Sequence, residues 1–259
     1  MTIVSYRDDH WSILVTLRCF PLAEQPSQVS YGHMKVAGGF FERLSVEHQQ
    51  TIRSRATLRH VERGSKLFLQ GDSPTGVYFV VQGHLKLTVN GNDGREAIVE
   101  VSGPGDLIGA ASMFDDYARP TSAFALTGPT EVLALDRAAM QQMARTDASF
   151  NAAILEELSL KLRTATARHL ELAVDDVSGR VIRRLHELVS RFGVVSEDGH
   201  AVLRSPVTQQ DLAAWAGVSR QAVVKELRRL RDAGLIVTSG SRFTIGDVGE
   251  LNARVERLG

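Results

Sequence analysis

The residues best placed to do chemistry lie in VTQQDLAAWAGVSRQAVVKELRRLR, positions 207–231. Thr208 stands three residues before Asp211, the spacing of a capping box, in which a hydroxyl and a carboxylate satisfy the orphan amides of a first helical turn. Leu212 and the small Ala213 follow, then Gly217, a residue tolerant of positive φ at a turn. Val218 is apolar within that turn, and Ser219 can cap a second helix. On this second helix Val223, Leu227 and Leu230 recur at spacings of four and three and form one inward stripe. Ser219, Arg220, Gln221 and Lys225 are left on its outer face near the N-terminus. Such a face offers hydrogen bonds to base edges in a DNA major groove. Single features of the pattern also occur in an ordinary helical hairpin with a solvated outer face. The full combination favours a helix-turn-helix. Downstream, LIVTSGSRFTIG (235–246) reads as two short strands around a Ser-Gly-Ser turn, with Arg242 beside it where a wing could touch phosphate.

Composition frames this motif. The chain has 259 residues, ordinary hydrophobic and charged content, and zero formal net charge. From Ser178 onward it carries 13 Lys+Arg against 9 Asp+Glu, so the C-terminal third is near +4 and the rest near −4. A basic third beside an acidic remainder suits a nucleic-acid-binding domain joined to a sensor. No apolar run approaches the roughly 20 residues of a membrane helix. The first residues mix charges and lack a clear small-residue cleavage site, so a cytoplasmic location is expected. The single cysteine, Cys19, excludes an internal disulfide framework and an all-cysteine metal cluster within one chain.

The rest of the chain supplies elements to position the motif. Residues 1–36 show little pattern, and Met34 precedes a more typical start, so the segment before it is either an extension or the product of a misassigned start. Residues 40–59 look helical, with Phe41, Leu44 and Ile52 on one face. From about Leu58 to Leu135, short alternating runs (KLFLQ, GVYFVVQG, HLKLTVN, EAIVEVSG, SAFALTG, TEVLALD) are separated by Gly-rich turns, the texture of a β-sandwich or jelly roll. Leu155, Leu158, Leu162, Ala165, His169 and Leu172 then follow at spacings of 3-4-3-4-3, an a/d seam that predicts helix pairing in a dimer. A further amphipathic helix over 177–193 places Val181, Leu185 and Leu188 inward.

In this order the chain resembles the Crp/Fnr family of bacterial transcription regulators. The resemblance covers about residues 40–246. It rests on GDSPTGVYFVVQGHLKL and GPGDLIGAASMF in the barrel, DDVSGRVIRRL at the hinge, and TQQDLAAWAGVSRQAVVKELRRL. It implies an α+β architecture: an N-terminal β-jelly-roll of the cyclic-nucleotide-binding kind, a long dimerisation helix and a C-terminal winged helix-turn-helix. The expected boundaries are an irregular extension at 1–36, a sensor barrel at 37–145, the dimerisation helix at 146–175 and the DNA-binding domain at 176–259. The expected partners are a palindromic double-stranded operator, a second copy of the chain, RNA polymerase and a small-molecule effector, with no membrane. The family's recognition motif, Ser-Arg-Glu-x-x-x-Arg, here reads Ser219-Arg220-Gln221-x-x-x-Lys225. Arg220 keeps its place and suits guanine. Gln221, able to donate and accept, makes adenine plausible where Glu would favour cytosine. Thr208 and Gln210 fall where the family contacts phosphate.

The effector cassette departs further from the family pattern. Gly109 is followed by Ala110 where the cyclic-AMP-binding members place a ribose-binding Glu. Thr121 precedes Ser122-Ala123 where they place a phosphate-binding Arg, and Arg119 lies two residues early. On the long helix Ala165-Thr166 stands for their Thr-Ser pair. The resemblance therefore implies an effector site at Gly109, Ala110, Arg119, Thr121, Ser122 and Thr166, but not cyclic AMP in the usual pose. A different nucleotide, a cyclic dinucleotide held through Arg119, haem at His84 and an effector-independent regulator all stay open. An iron–sulfur cluster and a metal site are not expected. Two rivals belong to other classes. A barrel enzyme needs clustered His and carboxylate ligands that the strand runs do not offer, so catalytic residues are not expected. A regulatory module acting on protein partners needs no intact reading helix, and this chain has one.

Overall fold

The computed structural model describes residues 39–258 other than 92, 93, 116, 198, 205, 240 and 241. The extension at 1–36, Met34 and Cys19 lie outside the described residues. Two short helices, α1 (Phe40–Arg43) and α2 (Val46–Arg55), precede β1 (Thr57–Val61). The continuous helix expected over 40–59 is thus divided. Leu44 ends the first segment in extended backbone, and Ser45 caps the second, its side chain accepting from the His48 amide.

Eight strands build the barrel: β1, β2 (Lys66–Phe68), β3 (Gly76–Gln82), β4 (Leu85–Asn90), β5 (Glu96–Ser102), β6 (Leu107–Ile108), β7 (Ser122–Ala125) and β8 (Thr130–Asp136). They form two four-stranded sheets with orders β1-β8-β3-β6 and β2-β7-β4-β5, the interleaving of a jelly roll. Phe68, Tyr78, Val80, Leu85, Leu87 and Ile108 fill the space between the sheets. A second core, with Phe40, Phe79, Met113, Met140, Phe150 and Ile154, packs α1, α2, α3 (Arg137–Thr146) and the start of α4 (Ala148–Val174) against the barrel.

Helix α4 has 27 residues, a length of about 40 Å. Asp147 opens it by accepting from the amides of Ser149 and Phe150. The helix breaks at Asp175, and Asp176 caps α5 (Val177–Phe192) by accepting from Gly179. The C-terminal domain continues with β9 (Val194–Val195), β10 (Ala201–Arg204), α6 (Gln209–Ala216), α7 (Arg220–Asp232), β11 (Ile236–Ser239), β12 (Arg242–Ile245) and α8 (Val248–Glu256). The two-stranded wing expected from sequence is half of a four-stranded sheet, order β11-β12-β10-β9. Its core joins Val181, Leu185 and Leu188 of α5 to Leu212, Trp215, Val223, Leu227, Ile245 and Leu251. Barrel residues Ile98, Val101 and Leu126 belong to the same cluster, so this domain is docked on the outer face of β5.

Candidate functional site

The helix-turn-helix is assembled by its caps. The Thr208 hydroxyl accepts from the Asp211 amide at 3.1 Å, and the Asp211 carboxylate accepts from the Thr208 amide at 3.0 Å. Helix α6 ends on Gly217 at φ 64°, a left-handed conformation that disfavours side chains carrying a Cβ. The Ser219 hydroxyl then accepts from the Ala222 amide at 3.2 Å and starts α7. Val223, Leu227 and Leu230 are at most 1% exposed, which fixes the rotation of α7 about its axis. That rotation turns Ser219, Arg220, Gln221 and Lys225 to solvent. Arg220, Gln221, Val224, Lys225 and Arg228 line one shallow outer surface. Arg228 was not singled out from sequence, although its spacing of three from Lys225 places it on the same face. Neighbouring Arg229 turns instead to Glu226 and the Ser178 hydroxyl. Thr208 and Gln210 are exposed at the start of α6. Arg242 opens β12, and its side chain lies outside what the structure describes.

The barrel holds a second candidate site, a cavity of about 160 Å³ lined by Phe68, Leu87, Val99, Glu100, Gly109–Ser112, Arg119–Thr121 and Lys161. Gly109, Ala110, Arg119 and Thr121 thus come together. Ser122 is buried beside them and its hydroxyl accepts from the Gln70 amide. Thr166 does not line the cavity; it is exposed on α4 and its hydroxyl donates to the Leu162 carbonyl. Arg119 is 2% exposed and its guanidinium donates to the Gly109 and Gly76 carbonyls while lying 4.5 Å over the Phe68 ring. A Cβ on Gly109 would come within 2.4 Å of that guanidinium, and Gly109 has φ 84°, so this corner needs glycine. Burial holds the Arg119 pKa below the usual arginine value.

Two charged residues of the cavity were missed in the sequence. Lys161 of α4 donates to both oxygens of Glu100, at 2.8 and 2.9 Å. A β-bulge aims Glu100: Leu87 pairs with Glu100 and Thr88 with Ile98, leaving Val99 extra. Val99 and Glu100 therefore both face the cavity, while Ile98 and Val101 face the DNA-domain side. Burial alone would raise the Glu100 carboxyl, but the Lys161 ammonium outweighs it and, with Arg191 and the Ser102 hydroxyl, holds it at about 2. His84, the residue considered for haem, packs edge-on against Phe192 with centroids 4.8 Å apart. Among the described residues, no group of three or more His, Cys, Asp or Glu side chains is placed to hold a metal ion, and no helix is long and apolar enough to cross a membrane.

A jelly-roll barrel and a long helix, followed by a winged helix-turn-helix with a basic outer face, define a DNA-binding class of protein. Comparison with known proteins agrees. Residues 58–147 match the cyclic nucleotide-binding domain, and residues 179–254 match the Crp-like helix-turn-helix domain. The chain is 30% identical over 192 residues to the CRP-like cAMP-activated global transcriptional regulator of Mycobacterium tuberculosis, covering 74% of this chain and 85% of that one. The structure of the c-di-GMP responsive global regulator CLP of Xanthomonas campestris superposes with TM-score 0.65 at 25% identity, over 78% of this chain and 99% of that one. FixK2 of Bradyrhizobium japonicum gives TM-score 0.69 over 76% and 96% of the two chains; at 21% identity it speaks to the fold alone. The chain belongs to the Crp-like family of DNA-binding transcription regulators.

Proposed function

We propose that the protein acts as a homodimer in the cytoplasm, reads a palindromic operator through α7, and is controlled by a small molecule in the barrel cavity. The observation that carries this reading is the outer face of α7, where Arg220, Gln221 and Lys225 stand free beside a shallow surface while the opposite stripe is locked in the core. Arg220 suits guanine O6/N7 and Gln221 suits adenine N6/N7. Lys225 keeps charge without the planar fork of the arginine it replaces. Thr208, Gln210 and Arg242 are assigned to phosphate, and RNA polymerase is the partner through which binding acts on transcription. The relatives are named for activation by cyclic AMP and for response to c-di-GMP. Ala110 offers no acceptor for a ribose hydroxyl and Arg119 is engaged by backbone carbonyls, so the effector here does not sit as cyclic AMP is expected to in the family. Selection from a random duplex library tests the DNA reading. A palindromic site altered from the family sequence opposite Gln221, with binding weakened by Arg220→Ala, is expected. Recovery of no enriched sequence, or equal binding by the variant, overturns it.

A further inference from the structure

Helix α7 carries two consecutive valines with different surroundings. Val223 is 0% exposed and belongs to the stripe that fixes the helix in the core, whereas Val224 is 42% exposed. Val224 stands in the middle of the outer face. Arg220 and Gln221 lie one turn before it, Lys225 beside it and Arg228 one turn after it, all on the same shallow surface. We propose that Val224 is a specificity-determining residue, and that it reads the C5 methyl of a thymine one or two base pairs from the base that Gln221 contacts. This rests on the reading of α7 as the helix that enters the major groove.

A single exposed valine is ordinary on a protein surface, so its setting has to carry the assignment. Among the described residues, Val224 is part of none of the three buried cores. Valine is also a weaker helix former than alanine or arginine, so the helix itself gains nothing from it. Its apolar character is thus unused by the folded chain. Its neighbours on the face are three cations and an amide. Protein interfaces are depleted of charge at their centre, whereas a groove lined by phosphates attracts it, so DNA fits this face better than a protein partner. Within the major groove the thymine methyl is the apolar group among base edges that otherwise present donors and acceptors. A valine set against those polar edges leaves them desolvated without a partner, so it selects thymine by penalty as well as by contact. In a helix valine strongly prefers one χ1 rotamer, and its methyls are held in place before binding. The register follows from helix geometry. Three residues advance about 4.5 Å along α7. Successive bases on one strand are about 3.4 Å apart, so Val224 reaches a pair one or two steps from the one Gln221 meets.

Selection of operators by the full chain from a random duplex library, followed by replacement of thymine with deoxyuridine one position at a time, tests the assignment. Deoxyuridine pairs as thymine does and lacks only the methyl. One thymine per half-site is expected to respond, one or two pairs from the base whose preference changes in Gln221→Glu. Deoxyuridine there should weaken binding by the native chain about fourfold, the worth of one buried methyl. Val224→Ser should bind the thymine duplex about as weakly as the native chain binds the deoxyuridine duplex, and should no longer distinguish the two. Melting curves check that the variant is folded. Native binding indifferent to deoxyuridine at every such thymine overturns the assignment. So does a loss on deoxyuridine that persists undiminished in Val224→Ser, or a selected operator with no thymine in that window. In each of these cases an enriched operator that Arg220→Ala binds weakly leaves DNA reading by α7 standing. Recovery of no enriched operator removes that reading, and this inference with it.

Discussion

Lys86, on barrel strand β4, donates to the Asp211 carboxylate of α6 at 3.2 Å. The other oxygen of that carboxylate closes the capping box with Thr208. One side chain therefore both starts the first helix of the helix-turn-helix and ties that helix to the barrel. Burial would raise the Asp211 carboxyl, but the Thr208 hydrogen bonds and the charge of Lys86 hold it below its ordinary value.

This shared carboxylate separates two substitutions. Lys86→Met should cost about 1 kcal/mol, because the pair is largely shielded but Glu96 also competes for the ammonium. Hydrogen exchange should quicken at the start of α6 and in β5, and stay unchanged in the α5–α7 core. Asp211→Asn should lose the same docking contact and weaken the cap, about 1 kcal/mol more. Equal effects of the two variants in denaturant titrations would show that the cap and the tie are not joined through Asp211.

The apolar seam of α4 gives a second expectation. Leu155, Leu162 and Leu172 are 57%, 69% and 57% exposed in the single chain, whereas Leu158 packs on the barrel core. Burying a leucine contributes about 1.5–3 kcal/mol, and a two-fold pairing counts each residue twice. Leu162→Glu should shift sedimentation from dimer to monomer at micromolar concentration and weaken binding to a two-half-site duplex more than tenfold. Far-ultraviolet dichroism should be preserved, since the residue supports no core of its own protomer. A variant that remains dimeric would place the interface elsewhere.

How far the sequence could be read depended on range. The caps, the turn glycine and the α7 stripe of 207–231 are set by residues a few positions apart, and their pattern was legible. The jelly-roll class was legible from alternation and turn glycines, but not the sheet order, which is a matter of long-range pairing. Lys161 and Glu100 are 61 positions apart. They meet only because one extra residue at Val99 changes which face of β5 the carboxylate occupies, and nothing in EAIVEVSG marks that bulge. Arg119 was recognisable as a cation near the cassette, yet its direction depends on the Gly76 and Gly109 carbonyls being within reach. Strands β9 and β10 escaped because two- and four-residue pieces carry too little periodicity to register.

Acid should expose the Glu100–Lys161 pair. The folded Glu100 carboxyl titrates at about 2 against an ordinary 4.5. A carboxyl depressed by folding contributes stability that is fully present above its unfolded pKa and is lost as pH falls through its folded value. The melting temperature of the native chain should therefore fall more steeply than that of Glu100→Gln between about pH 4.5 and about pH 2, and the two curves should converge at the acid end. Parallel curves across this window would mean that the pair contributes no net stabilisation.

The hinge supplies the last prediction. Arg184 of α5 has a side chain only 4% exposed, paired with Glu171 of α4 and with Glu187 at 3.0 Å. Its guanidinium lies 5.5 Å from the Trp215 ring centroid of α6, and Arg168 of α4 approaches the same ring at 5.7 Å while donating to Glu187 at 2.8 Å. Three helices are thus joined at one buried cation, next to the break at Asp175 where α4 gives way to the DNA domain. Arg184→Ala strands the Glu171 carboxylate, while Glu187 keeps Arg168, and should cost about 3 kcal/mol. Arg184→Met restores most of the volume but no charge, so it separates packing from electrostatics. If the charge holds the α4–α5 angle, both variants should bind a half-site duplex like the native chain once folded, yet lose at least tenfold on a two-half-site duplex. That selectivity follows because a helix pair at a variable angle no longer presents two reading heads at one fixed spacing. Equal losses on half and full sites would instead mean that Arg184 supports the fold of the reading domain and does not set its orientation.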